Sequence, residues 1–196
     1  MCDYPHAVVT GASSGTGSAV TALLAASGYH VYAGVSSFAD GIALHQHTPP
    51  GAGVISPLML DVGRPVQIGA AARTVTAHAG SSGLAGLVNN ADIGVFGQLA
   101  VSRAFVSLLR QAQGRIVITG CASAVMCAAV RRELAPWNTR VVLIGPADSP
   151  PEVARAVAQA LTGVGAYGDA SYMQFLHNAA WPILIVNRRT RVRRCP

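Results

Sequence analysis

The segment of this 196-residue chain best suited to chemistry is Thr10-Gly11-Ala12-Ser13-Ser14-Gly15-Thr16-Gly17, set between a short β-branched run and an alanine-rich one. In that setting Gly11 permits a tight turn out of a strand, Gly15 lets backbone approach a pyrophosphate, and Gly17 lets a helix pack closely on the strand. The helix start adds N–H groups and positive potential, and Ser13, Ser14 and Thr16 add hydroxyl donors. The loop reads as a cradle for a dinucleotide. The same letters also spell a G-x-S-x-G nucleophile elbow at Ser13, with Asp148 and His177 following in hydrolase order. That alternative, a serine hydrolase, is short of chain: the elbow needs an oxyanion-hole loop from an earlier strand, and only twelve residues precede Ser13.

Other reactive types are scattered. His45-x-His47 with Asp40 has no third ligand of defined spacing, so no metal is expected there. Cys121 is a thiol just past an apolar run, more in keeping with a small buried side chain than with a reactive one. Lysine is absent, and all fourteen basic residues are arginine. Five of them, Arg188, Arg189, Arg191, Arg193 and Arg194, fall in the last nine positions. They account for most of the formal charge of +6, and the body holds nine arginines against eight carboxylates. No aromatic stacking pattern accompanies the tail, which argues against a nucleic-acid partner.

The elements that must position the loop follow a simple rhythm. Apolar runs at 6–10, 30–35, 54–60, 84–90, 115–119 and 140–145 alternate with helical stretches at 15–27, 65–79, 99–111, 123–134 and 150–162. Strands that are apolar throughout are buried on both faces, so the pattern predicts an α/β fold, a doubly wound, mostly parallel sheet of about six strands with helices on both faces. Residues 1–162 form the expected dinucleotide-binding, Rossmann-like domain. Residues 163–196 are expected as a C-terminal extension of the same domain, an appended helix with a basic end, and 38–53 as an irregular stretch. A content of 51% hydrophobic and 11% charged residues excludes a disordered polymer. Cys2, Cys121, Cys127 and Cys195 show no CxxC spacing, which suits a reduced, cytoplasmic setting. No run is long enough to span a membrane, and the opening MCDYPHAVVTG is not expected to act as a signal peptide.

TGASSGTG resembles the cofactor loop of the short-chain dehydrogenase/reductase superfamily. Leu60-Asp61-Val62 looks like its adenine-contacting segment, Asn89-Asn90-Ala91 resembles its NNAG motif, and GRIVITG at 114–120 resembles the strand that leads to its catalytic serine. VRRELAPW and RVVLIGP, within 130–146, resemble its later helix and strand. The likeness covers most of 5–162 in family order. It implies a Rossmann fold, a nicotinamide cofactor (NAD or NADP), and hydride transfer to or from a small carbonyl or alcohol substrate. The cofactor contacts it implies are Gly11, Ser13, Ser14, Gly15, Thr16, Gly17, Asp61, Val62, Asn89 and Ala91. The ribose-reading position, about 20 residues past the glycines, falls on Ser36 and Ser37, whose hydroxyls favour NADP slightly over NAD.

Against the family pattern the chain is shortened. The family's Tyr-x-x-x-Lys pair, in which the lysine lowers the pKa of a proton-donating tyrosine, has no counterpart in a sequence without lysine. Arg131 follows Cys121 by only ten positions, where the family places that pair. Cys121 aligns with the family's serine, with Ser123 two residues on, and these are the remaining candidates for substrate contact. Asp92 stands where the motif has glycine. The two crossovers retain 24 and 20 residues, enough for helical connections. The reading is therefore an NAD(P)-binding oxidoreductase of impaired or lost activity, with a non-catalytic nucleotide-binding or interaction protein on the same fold as the alternative. A homo-oligomer is compatible with it, although the helices that build the family's dimer interface are the shortened ones.

Overall fold

Six strands, β1 (His6–Val9), β2 (His30–Val35), β3 (Val54–Met59), β4 (Gly86–Asn89), β5 (Arg115–Thr119) and β6 (Arg140–Ile144), pair in parallel in the order β3-β2-β1-β4-β5-β6. This computed structural model describes residues 4–13, 15–46, 53–91, 94–119, 130–137, 139–144 and 149–162, and the backbone of 186–187 and 191–192. Between the strands lie α1 (Gly15–Ala26), α2 (Phe38–Gln46), α3 (Pro65–Ala79), α4 (Gly94–Gln111) and a helical segment at 130–134, α5, with α6 (Pro150–Thr162) after β6. The doubly wound parallel sheet expected from the apolar runs is the sheet observed.

The reason those runs are apolar throughout is visible on the two faces. Val9, Val31, Val88, Val117 and Val142 point to one side, where Val20 and Leu24 of α1 and Val153, Val157 and Leu161 of α6 cover them. The alternate residues Val8, Tyr32, Leu87, Ile116 and Leu143 point to the other, under Ile68 and Val75 of α3, Phe105 and Leu109 of α4, and Leu134 of α5. With period-two alternation and both faces covered, β1, β2, β4, β5 and β6 are buried at every position after the first, while the edge strand β3 leaves Val54 and Pro57 exposed. Phe105 is wholly buried, and truncating such a ring costs about 3–5 kcal/mol.

Helix boundaries have local causes. Pro65 opens α3 at its first turn, where a missing N–H costs nothing, and the Gly80 N–H closes it by donating to Thr76 O. At the far end of α6, the Arg115 guanidinium donates to the carbonyl oxygens of Ala160 (2.9 Å) and Leu161 (2.6 Å), satisfying acceptors that the helix leaves open. Arg131 of α5 donates through Nε (3.2 Å) and Nη2 (2.7 Å) to Val141 O on β6. Arg103 of α4 pairs with Glu133 of α5 through two donors, Nε at 3.0 Å and Nη2.

Three expectations are corrected. Residues 38–46 are helical, not irregular: Ser37 caps α2 by accepting the Asp40 N–H (3.2 Å), and Gly41, which reads as a helix breaker, sits against Pro57, where a Cβ would lie 3.3 Å from the proline ring. In the C-terminal extension, 186–187 and 191–192 form two short antiparallel strands, β7 and β8, where a helix was expected. Val186 and Val192 pair there, and β-branched residues favour the pleated conformation. α4 also begins at Gly94, five residues before its sequence-based start.

Candidate dinucleotide-binding site

β1 and β4 are neighbours whose onward connections run to opposite halves of the sheet, so the crevice beyond their C-terminal ends is the topological switch point, where ligands of open α/β sheets bind. The glycine loop lies there. Gly11 and Gly15 have φ of +62° and +54°, values that favour glycine. Among the described residues, and apart from its chain neighbours, nothing stands within 4 Å of where a Cβ on Gly15 would be, so this side of the loop is open to them. Gly17 is the reverse case: a Cβ there would lie 1.9 Å from Gly11 O and 2.7 Å from Asn90 Nδ2. The start of α1 therefore seats directly on the strand exit, which only a residue without a side chain allows.

Three polar side chains fix the backbone of this crevice. Thr10 Oγ1 donates to Val88 O (3.3 Å) and accepts from the N–H groups of Asn90 (2.9 Å) and Ala91 (3.1 Å), tying the end of β1 to the end of β4. Asn90 Nδ2 donates to Gly11 O (3.1 Å), and Thr119 Oγ1 at the end of β5 donates to Asn90 Oδ1 (3.0 Å). The Ala12 N–H donates to Gly34 O on β2. The loop is thus held from β2, β4 and β5 without use of its open side.

The residues expected at the cofactor fall into several settings. Gly11, Gly15 and Gly17 come together, with Ser13 and Thr16 half-buried beside them. Asn89 is 1% exposed and is turned under α4, where its Nδ2 donates to Ser102 Oγ (3.0 Å) and Gln98 O (3.4 Å). Ala91 reaches the crevice through its backbone, its Cα 3.1 Å from a Cβ built on Gly11. Val62 belongs to the core by its side chain. Asp61 organises the turn after β3: Oδ1 accepts the Gly63 N–H (2.9 Å), Oδ2 lies 3.2 Å from Arg64 Nε, and its own N–H donates to Gln67 Oε1 (2.9 Å). Ser36 is exposed at the end of β2, whereas the Ser37 hydroxyl is already the cap of α2. Ser14, Asp92, Cys121, Ser123, Asp148, His177, His47 and Arg188, Arg189, Arg193 and Arg194 lie outside the described residues.

Asn90, Thr10 and Thr119 are the residues that sequence reasoning missed. Strand alternation carried the signal for Asn90. Leu87 and Asn89 share the face under α4, so the residue after Asn89 leaves that face and turns toward the glycines.

The short chain dehydrogenase family matches residues 5–101. Estradiol 17-beta-dehydrogenase 2 of Rattus norvegicus is 28% identical over 183 residues, covering 74% of this chain and 48% of the relative. A metagenomic short-chain oxidoreductase, solved in complex with NADP, superposes with a TM-score of 0.72 at 21% identity, covering 95% of this chain and 98% of the other. The chain belongs to the short-chain dehydrogenase/reductase superfamily. It is also similar in fold to an alcohol dehydrogenase from the archaeon Thermococcus sibiricus, solved with 5-hydroxy-NADP (TM-score 0.67, 19% identity, covering 81% of this chain and 91% of the other). This short-chain dehydrogenase/reductase chain spans about half the length of the curated relatives it matches. Among the described residues no group of three or more His, Cys, Asp or Glu is placed to hold a metal, and no helix is long and apolar enough to cross a membrane.

Proposed function

We propose that the chain binds a nicotinamide dinucleotide across the β1/β4 crevice, with NADP slightly favoured over NAD, and is nominally an oxidoreductase of alcohol or carbonyl groups with impaired or lost activity. The packing at Gly17 carries the binding half of this reading. A loop whose backbone is clamped from below, and which presents no Cβ on its open side at Gly15, fits a pyrophosphate laid along it. Backbone N–H groups at the start of α1 and the hydroxyls of Ser13, Ser14 and Thr16 are assigned to the phosphates. The turn at Asp61 and Val62 is assigned to the adenine end, and the Ser36 hydroxyl to the 2′-position of the ribose. With Ser37 committed to capping α2 and no arginine between Tyr29 and Gly63, the preference for a 2′-phosphate is expected to be small.

When bound, the nicotinamide supplies or accepts a hydride. The protein's part would be to hold the substrate oxygen and move a proton to or from it, and here the sequence offers little. Positioned proton transfer contributes about 10²- to 10⁴-fold, and the tyrosine–lysine pair of the family cannot exist in a chain without lysine. Cys121 and Ser123 are assigned to any remaining substrate contact. A thiol with an ordinary pKa of about 8.5 is a poor replacement without a fixed substrate pose. The absence of lysine equally supports the second reading, a nucleotide-binding or interaction protein without turnover. Cytoplasmic residence is part of the proposal and rests on cysteine usage alone.

Turnover of a panel of carbonyl compounds by the intact chain, Cys121→Ala and Gly15→Asp tests the chemistry. Trace reduction at most is expected from all three. Robust turnover that survives Cys121→Ala but disappears in Gly15→Asp would mean a working enzyme with another proton donor.

A further inference from the structure

The end of the sheet opposite the glycine loop carries a cluster that the dinucleotide does not account for. His6 opens β1, His30 opens β2, and the two are register partners with side chains on the face under α3. Tyr32, the next residue of β2 on that face, stacks on His30 with ring centroids 4.5 Å apart and planes 22° apart. It also stacks on His6 at 5.8 Å and on His78 from the last turn of α3 at 6.3 Å, with planes 3° apart in the latter pair. The rings of His6 and His30 are 5.3 Å apart. Two polar contacts pin the stack: His30 Nε2 lies 2.8 Å from Ser56 Oγ on β3, and Tyr32 Oη lies 3.3 Å from His6 Nδ1. Tyr32 is buried, His6 and His30 are half-buried, and His78 is exposed.

We propose that this four-ring stack is a pH-sensitive element of the fold, which joins β1, β2, β3 and α3 while its imidazoles are neutral and loosens that edge of the sheet when they take up protons. Hydrogen bonding does not set the sensitivity. Serine and tyrosine hydroxyls both donate and accept, so either contact survives protonation of its histidine with the donor reversed. Charge does set it. Among the described residues, the titratable groups facing His30 are His6 from β1, Tyr32 from its own strand and His78 from α3, while β3 presents the uncharged Ser56. Burial, and then the charges of His6 and His78, press the His30 pKa below the ordinary histidine value. Burial raises that of Tyr32, so its phenol stays neutral throughout. One imidazolium on the face of Tyr32 is tolerated as a cation–π contact, but a proton on His30 meets any charge on His6, whose ring lies 5.3 Å away, so further protonation sets like charges against one another.

The sign follows from linkage. With its folded pKa lowered, His30 binds fewer protons in the native than in the unfolded chain at pH values below about 6.5. Its stabilising contribution is complete above that value and disappears as pH falls toward the lowered one.

Two measurements on the intact chain test this. Urea midpoints are compared between about pH 7.5 and about pH 5.5, the window that brackets histidine titration, for the natural sequence, His30→Phe and His78→Gln. The midpoint of the natural sequence should fall over that window, and the fall should shrink by at least half in His30→Phe, which keeps a ring in the stack but cannot take a charge. NMR titration of the His30 ring, which does not depend on His30→Phe folding, should give a pKa below the ordinary histidine value that rises in His78→Gln. An equal fall in midpoint with and without His30, or a His30 ring that titrates at the ordinary value and ignores His78, would overturn the proposal.

Discussion

The two ends of one parallel sheet are built by opposite rules. At the C-terminal ends of β1 and β4 side chains have been removed: Gly11, Gly15 and Gly17 leave bare backbone, and Thr10, Asn90 and Thr119 hold that backbone from beneath. At the N-terminal ends the space is filled with rings, His6, His30, Tyr32 and His78, and Tyr29, His30 and Tyr32, whose pKa values are shifted, lie at this end. Tyr29 is pushed up by burial, with Arg115 acting the other way. A strand end that must admit a phosphate has to expose N–H groups at close range, which requires small residues and a rigid support. An end without that task can stabilise the fold through side-chain packing, and its chemistry becomes a matter of charge and burial.

The comparison is broken most severely at Gly17. A methyl group placed 1.9 Å from Gly11 O has nowhere to go, so Gly17→Ala should abolish dinucleotide binding and cost at least about 1–3 kcal/mol in urea unfolding. Retained binding would show that the loop is not clamped as described. Thr10→Val, nearly isosteric, removes the acceptor for two N–H groups at the crevice and should cost about 1–3 kcal/mol. It should also weaken NADPH binding.

At the other end, Arg115→Met should cost about 1.5–3 kcal/mol, since it strips charged donors from the last carbonyls of α6. Because α6 ends far from the glycine loop, NADPH affinity should not change, and a parallel loss of affinity would mean that the two ends are coupled. Ser37→Ala sharpens the ribose assignment. It should cost about 1 kcal/mol as a lost helix cap and leave the NADPH-to-NADH ratio unaltered, whereas Ser36→Ala should bring the ratio to one. The smallest effect is expected from Arg103→Ala, below about 1 kcal/mol, because both members of its ion pair with Glu133 are solvent-exposed.

Legibility in the sequence followed the same division. The strands could be read because burial on both faces demands unbroken apolar runs, and the glycine loop because its spacing has a backbone cause. Asn90 was harder, since its role depends on three strands meeting: alternation puts it on the other side from Asn89, but nothing local says that its amide bridges Gly11 to Thr119. α2 was hidden by Gly41, a helix breaker by propensity that is tolerated because Pro57 on β3 crowds that position. The ring stack was invisible for the same reason as Asn90: His6, His30 and His78 are far apart in the chain and are assembled by strand register and the end of α3.

The central claim is that a dinucleotide lies on the open side of the loop at Gly15, and titration of the intact protein and Gly15→Asp with NADPH and NADH tests it most directly. Gly15 has open space at its Cβ position, so a carboxylate there should leave the packing of the loop intact, although its positive φ carries some backbone strain. Its charge should repel a pyrophosphate. Saturable binding by the natural sequence, modestly tighter for NADPH, and its loss in a Gly15→Asp variant that still unfolds cooperatively, is the predicted result. No binding of either dinucleotide by the natural sequence, or equal binding by the folded variant, would contradict the account.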